Sequence, residues 1–404
     1  MTMNNLWTIY IYELKKLIHR KLLWITTFLC MVGIVITVFA DLIGTYYVDG
    51  EPIESNYEAF LKDQTYRKAL SGRSIDQALL QETIDGYSHI PANALRYSLT
   101  EEYETYARPY SEIFHLIRTW TGMDLTSIQN WEADETDLYE ARAQYLERNW
   151  QSIPLTETEK EFWHNKESQL DIPLTYDYHD GYENSLDCFL TVGVLMLLFV
   201  AVCLSNLFAD EHIRRTDQLV LSSIAGKNSA YWAKILAGVT VSAIAATMMT
   251  LLTLGLNLAY YGTEGFGMAL QSCFSTYSYP ITIGQACLIA YGVLIVASVL
   301  AAVFVMVISE LFRSGIAALA ISSGLIILGN VIMIPTQYRV IAQIWDWSPM
   351  AYLSIWNVFD PRTLILFGQC FPSWQVVPVI YLLLSIALAV GGKYLYQSYQ
   401  ISGR

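Results

Sequence analysis

The run ITIGQACLIAYGVLIVASVLAAVFVMVI occupies residues 281–308 and holds no charged side chain in 28 positions. A helix rising about 1.5 Å per residue needs about 20 apolar residues to cross about 30 Å of hydrocarbon, so this run is long enough with room to spare. Five further windows of the same kind lie at 22–43, 186–209, 235–259, 311–334 and 374–390. A buried core helix imitates one such window; six in one chain of 404 residues read as an all-α polytopic membrane protein. Only 15% of the chain is charged, against about a quarter in an ordinary soluble domain, and the missing charges are missing from these blocks.

Lys and Arg in the short connections set the orientation. Lys15, Lys16, Arg20 and Lys21 precede the first span, and Arg214, Arg215, Lys227 and Lys234 lie between the second and third. Arg313 separates the fourth and fifth, and Lys393 and Arg404 follow the sixth. The opposite short connections hold only Arg339 and Arg362. Both termini are therefore expected in the cytoplasm, with 44–185 outside the membrane. Residues 43–187 carry 28 Asp or Glu against 11 Lys or Arg, a formal charge of −17 in a chain whose total is −13. The acidity belongs to one extracytoplasmic domain, and no nucleic-acid partner is expected. The basic lead, the apolar run and Val38-Phe39-Ala40 also have the outline of a signal peptide, but the run is long for one and an uncleaved anchor is favoured.

The domain between the first and second spans reads as mostly helical, from apolar residues at three- and four-residue spacing broken by Gly72, Gly86, Pro91, Gly122, Pro154 and Pro173. No alternating run of useful length argues for a sheet, though the tail from Ile172 to Tyr182 reads either way. Fourteen of the chain's 28 tyrosines fall here beside the carboxylates. They suit a cationic or amphipathic ligand, or they pack the helices while the acids keep the domain soluble. Cys273 and Cys370 both lie in connections expected outside and are near enough in kind to pair or to remain free.

Within 1–21, Leu6, Tyr10, Leu14, Leu17 and Ile18 mark one face of a helix whose other surface carries Lys15 and Lys16, the pattern of a helix lying flat at a membrane. The connection 210–234 begins with Asp210-Glu211-His212 and reads as a short helix around 217–224, a Gly turn, and entry into the third span through Lys234.

That order of parts resembles the membrane subunit of a type-2 ABC exporter: a surface helix, a first span, an external insertion, and a Glu-led loop after the second span. Glu211, Thr216, Leu219, Leu221, Ser222, Lys227 and Lys234 match the family's loop, whereas Arg215 stands where Gly commonly precedes the Thr and Ala225-Gly226 replaces a Pro-Ser type turn. The resemblance implies that Glu211, Arg214, Arg215, Thr216, Leu219, Leu221, Ser222, Lys227 and Lys234 form a coupling loop docked on a separate cytoplasmic ATPase subunit. It further implies that Leu6, Tyr10, Leu14, Lys15, Lys16 and Leu17 brace that junction, and that the second and fifth spans line the pathway. The segment 335–371 would hold external re-entrant helices, with Trp345, Asp346, Trp347 and Pro349 at the interface; an aromatic belt explains the same tryptophans. A second permease copy or a related permease, and membrane lipid, are the other expected partners.

No chemistry of the chain's own is expected. Ala225-Gly226-Lys227-Asn228 fails as a phosphate loop, because Leu221 and Asn228 stand where Gly and Ser or Thr are required. ATP and Mg would be bound by the partner, and no cofactor by this chain. The six histidines form no metal motif, so no metal site is signalled. The spans hold almost no ionisable group of the kind ion-coupled carriers need, so energy must come from elsewhere. The expected activity is export driven by a partner ATPase, with a cationic or amphipathic peptide the first substrate class and a lipid or hydrophobic small molecule the second. A non-transporting receptor or an envelope scaffold are the competing readings.

Overall fold

The computed structural model describes residues 3–48, 51–91, 96–131, 137–213 and 228–398. The chain opens with α1 (Met3–Ile18), whose last turn carries Lys15 and Lys16 at the favourable end of its dipole, and reverses at His19 and Arg20 into α2 (Lys21–Phe39). An antiparallel hairpin of β1 (Thr45–Val48) and β2 (Glu51–Ser55) follows, with Thr45 opposite Ser55 and Val48 opposite Glu51. Seven helices come next: α3 (Asn56–Leu70), α4 (Gln77–Ser88), α5 (Ser111–Thr121), α6 (Leu125–Gln129), α7 (Leu138–Ser152), α8 (Glu157–Glu167) and α9 (Asp180–Asp187). After them run α10 (Phe189–Leu204), α11 (Asn206–Ile213), α12 (Ser229–Tyr261), α13 (Ile283–Phe312) and α14 (Gly315–Val331). The chain continues through α15 (Arg339–Asp346), α16 (Ile355–Val358), a hairpin of β3 (Leu364–Leu366) and β4 (Gln369–Phe371), and α17 (Ser373–Ser398).

Five stretches are long and apolar enough to cross a membrane: Lys21–Leu42, Phe189–Ile213, Ser229–Tyr261, Ile283–Phe312 and Ser373–Ser398. The expected fifth span, 311–334, is not one of them. Arg313 takes a left-handed φ of 51°, Ser314 caps the Ala317 amide, and α14 keeps only 17 residues, about 26 Å of helix against about 30 Å of hydrocarbon. The expectation that nothing in 44–185 argues for a sheet is also corrected, since β1 and β2 pair there, and in the ambiguous tail Thr175 bridges Ser74; a second hairpin, β3–β4, lies outside that domain. The second turns through Phe367 (φ 52°) and Gly368 (φ 77°), the pair of positive φ angles that a two-residue hairpin loop requires.

The chain divides into two compact units. The first comprises Met1–Thr37, Ser185–Leu256 and Leu288–Arg404. Its helices approach closely where a side chain is missing, as expected in hydrocarbon, where small residues rather than hydrophobic driving force let helices associate. Gly238 of α12 faces Met306 of α13, and Gly329 of α14 faces Met350. Polar knots join the same helices: the Ser242 hydroxyl donates to the Ser298 carbonyl at 2.9 Å, and the Tyr231 hydroxyl to the Ala389 carbonyl at 2.6 Å.

The second unit comprises Val38–Asn184 and Asn257–Cys287, so it recruits a segment beyond 44–185. Capping boxes at Ser55–Glu58 and Thr156–Glu159 start α3 and α8, and Asp76, Asp124 and Asp137 cap α4, α6 and α7. Trp120, Trp163, Tyr87, Tyr176 and Tyr178 are inside, with Tyr87 stacked on Phe114, while Tyr57 and Tyr106 are exposed. Packing accounts for the buried tyrosines. Two buried arginines and a half-buried one hold six of the unit's carboxylates. Arg108 meets Asp63, Glu54 and Glu104 at 2.7, 3.1 and 2.6 Å, Arg142 meets Glu167 at 2.8 Å, and Arg67 meets Glu112 and Asp180. Arg142 also donates to the carbonyls of Ser275 and Tyr277, which draws Asn257–Cys287 into this unit.

Candidate functional site

Acidic residues oppose the dipole at the C-terminal end of a helix, yet α11 ends in Asp210, Glu211 and His212. Each finds a partner on another element of the first unit. Arg20, in the turn between α1 and α2, donates to Asp210 at 2.7 Å; His212 Nε2 lies 3.0 Å from Glu310 near the end of α13; and Lys234 Nζ lies 2.6 Å from Glu211. Lys234 has no surface open to solvent, reaches Glu13 of α1 at 3.1 Å as well, and sits 5.8 Å above the Phe208 ring. A lysine buried this fully is retained only when paired. The ends of α11 and α12, between which the loop 214–227 runs, are thus tied to each other and to α1.

Of the residues expected to couple to an ATPase, Glu211 and Lys234 are brought together here. Arg214, Arg215, Thr216, Leu219, Leu221, Ser222 and Lys227, with the short helix expected around 217–224, lie outside the described residues. On α1, Leu17 is buried, Leu6, Tyr10 and Leu14 are half-buried, and Lys15 and Lys16 face solvent. Tyr10 shares a hydrogen bond of 3.0 Å with Thr240 of α12. Ile18 does not share the Leu17 face but is exposed with Trp7 and Ile11, a second apolar strip of the kind that lies in a bilayer surface.

Around 335–371 the structure places α15, α16 and the β3–β4 hairpin. Asp346 is not a free interfacial carboxylate. It accepts from Arg362 at 2.6 Å, and Arg362 also meets Asp360 in a knot that is almost wholly enclosed. Burial pushes the Asp360 carboxyl up against the pull of Arg362. Arg362, counted above among the outward charges, is therefore neutralised inside the protein. Trp345 donates to the Ile332 carbonyl at 3.0 Å, and the Trp347 carbonyl accepts from Tyr381 at 2.8 Å. Trp345 and Pro349 also border an apolar cavity of about 400 Å³, closed by Leu197 of α10, Phe304 of α13, Ile326 of α14 and Leu384 of α17. α10 and α14 pack against one another beside it.

Sequence motifs gave no sign of a third cluster. His179, Glu183 and Cys273 of the second unit offer an imidazole nitrogen, a carboxylate oxygen and a thiol sulfur, all within 4.8 Å of one another. The His-x-x-x-Glu spacing was visible; the cysteine arrives from the far segment Asn257–Cys287 and was not. Cys273 and Cys370 do not form a disulfide.

A family model described as "ABC-2 family transporter protein" matches residues 20–392. No curated protein matches the chain.

Proposed function

The chain belongs to the ABC-2 family of transporter proteins, as a multi-pass permease subunit, and from that premise we propose that it couples ATP hydrolysis by a separate cytoplasmic subunit to the export of a substrate. Two membrane subunits, of this chain or of this chain and a related permease, work with two ATPase subunits. The chain lies with both termini in the cytoplasm and the acidic domain outside, and α14 is the fifth of six crossings, short enough to need local thinning of the bilayer.

The observation that carries this reading is Lys234. A force applied by a partner to the loop 214–227 enters through the ends of α11 and α12, and Lys234 joins both ends to Glu13 of the surface helix. Ion pairs without solvent are strong and directional, so a displacement at the ends of α11 and α12 is passed to α1. Arg20–Asp210 and His212–Glu310 extend the same linkage to α2 and α13. The apolar cavity beside α10 and α14 fits an amphipathic or lipid-like group better than a polar solute. The excess of carboxylates in the outer domain favours a cationic one, so an amphipathic cationic peptide is the substrate class proposed.

In the purified complex, Glu211→Gln and Lys234→Met are expected to keep the ATPase bound while ATP hydrolysis loses its response to the membrane subunit. Hydrolysis that responds as in wild type would refute the coupling role.

A further inference from the structure

The transport reading leaves the His179, Glu183 and Cys273 cluster without a role, and its geometry is specific. His179 immediately precedes α9 and Glu183 falls one turn later, so ring and carboxylate share a face. Cys273 follows the 3-10 turn Leu270–Ser272 in the segment that joins this unit from beyond α12.

The ring's Nδ1 lies 2.8 Å from the Asp177 carbonyl oxygen. A carbonyl only accepts, so Nδ1 carries the hydrogen; a cation that binds here displaces any proton from Nε2, whose lone pair then faces it. That is the arrangement that fixes the tautomer of a metal-bound histidine. Nε2 and the Glu183 oxygen stand 3.4 Å apart. A charge-assisted hydrogen bond closes to about 2.7–2.9 Å. Two ligands held at about 2.0–2.2 Å on a tetrahedral zinc ion stand about 3.4 Å apart. The spacing is loose for an ion pair and right for two arms of a coordination sphere.

We propose that His179, Glu183 and Cys273 bind one divalent cation of the zinc class. A nitrogen, a carboxylate oxygen and a sulfur together exclude Mg2+ and Ca2+, which take oxygen ligands. On binding, the thiol gives its proton to solvent and the sulfur's electron pair forms the bond to the metal. A neutral imidazole, a carboxylate and a thiolate then balance the ion's two charges. Arg67 already engages Glu112 and Asp180, so those carboxylates are not left to over-charge the site. Three protein ligands leave a fourth position to water. The inference does not depend on the partner ATPase and stands or falls separately from it.

The full-length chain is purified without a polyhistidine tag, stripped with a chelator, and returned to Zn2+ or Co2+. Wild type is expected to retain about one Zn2+ per chain, and with Co2+ to show thiolate-to-metal charge-transfer absorption. Cys273→Ser and His179→Gln are expected to lower occupancy at least about tenfold, while Cys370→Ser in the first unit matches wild type. A wild type that holds no more Zn2+ than Cys273→Ser, or whose Co2+ spectrum lacks the thiolate band, overturns the proposal. The spectrum is read on wild type alone, so misfolded variants do not spare it.

Discussion

Lys234 shows how residues far apart in the chain define a site. Its place before the third span was legible, because a basic residue leading into an apolar run is expected there. Its partners were not, since Glu13 and Glu211 meet it only through folding. Lys234→Met leaves both carboxylates enclosed without a cation. It is expected to cost about 3–5 kcal/mol, read as a fall in melting temperature, with Lys234→Met/Glu211→Gln recovering part of the loss. A different test lies in the second unit, where Arg73 grips Glu82 through both nitrogens at 2.7 and 2.8 Å and holds its carboxyl below the usual 4.5. A depressed folded pKa adds stability above the unfolded value that is lost as pH falls through the folded one. The stability difference between wild type and Arg73→Met, followed by denaturant titration, is therefore expected to be full above pH 4.5 and to shrink below it.

At the scale of elements, length and apolar content revealed the five long spans because those are properties of a continuous stretch. Boundaries set by turn geometry were harder. The 311–334 window counted residues that the Arg313 turn and the end of α14 at Val331 remove from the helix. The first hairpin left a dipeptide signal, Asp49-Gly50, whereas Phe367-Gly368 carries none, and strands of three to five residues are too short to show a period. α14 is seated through Gly329: a Cβ there would overlap that of Met350, whose carbonyl carbon lies 3.1 Å away. Gly329→Leu is expected to destabilise the chain by about 1–3 kcal/mol in a thermal melt, because backbone rather than a mobile side chain has to move. Wild-type melting would show that α14 docks elsewhere.

For the whole molecule, charge partition between connections predicts an orientation, and a family model matches residues 20–392. The division into units was only partly legible, because Asn257–Cys287 joins the acidic domain through Arg142, a contact across more than a hundred residues of sequence. Orientation is testable directly. A cysteine in place of the exposed Glu157 should react with a membrane-impermeant maleimide on intact cells, and one in place of the exposed Lys15 only after permeabilisation. The reverse pattern would invert the topology. The most direct test of the account is to isolate the tagged chain from its native membrane and identify what accompanies it, beside Leu219→Asp. An ATP-hydrolysing subunit that accompanies wild type and is released by this loop substitution is the predicted result. A wild-type chain that carries no such subunit would contradict it.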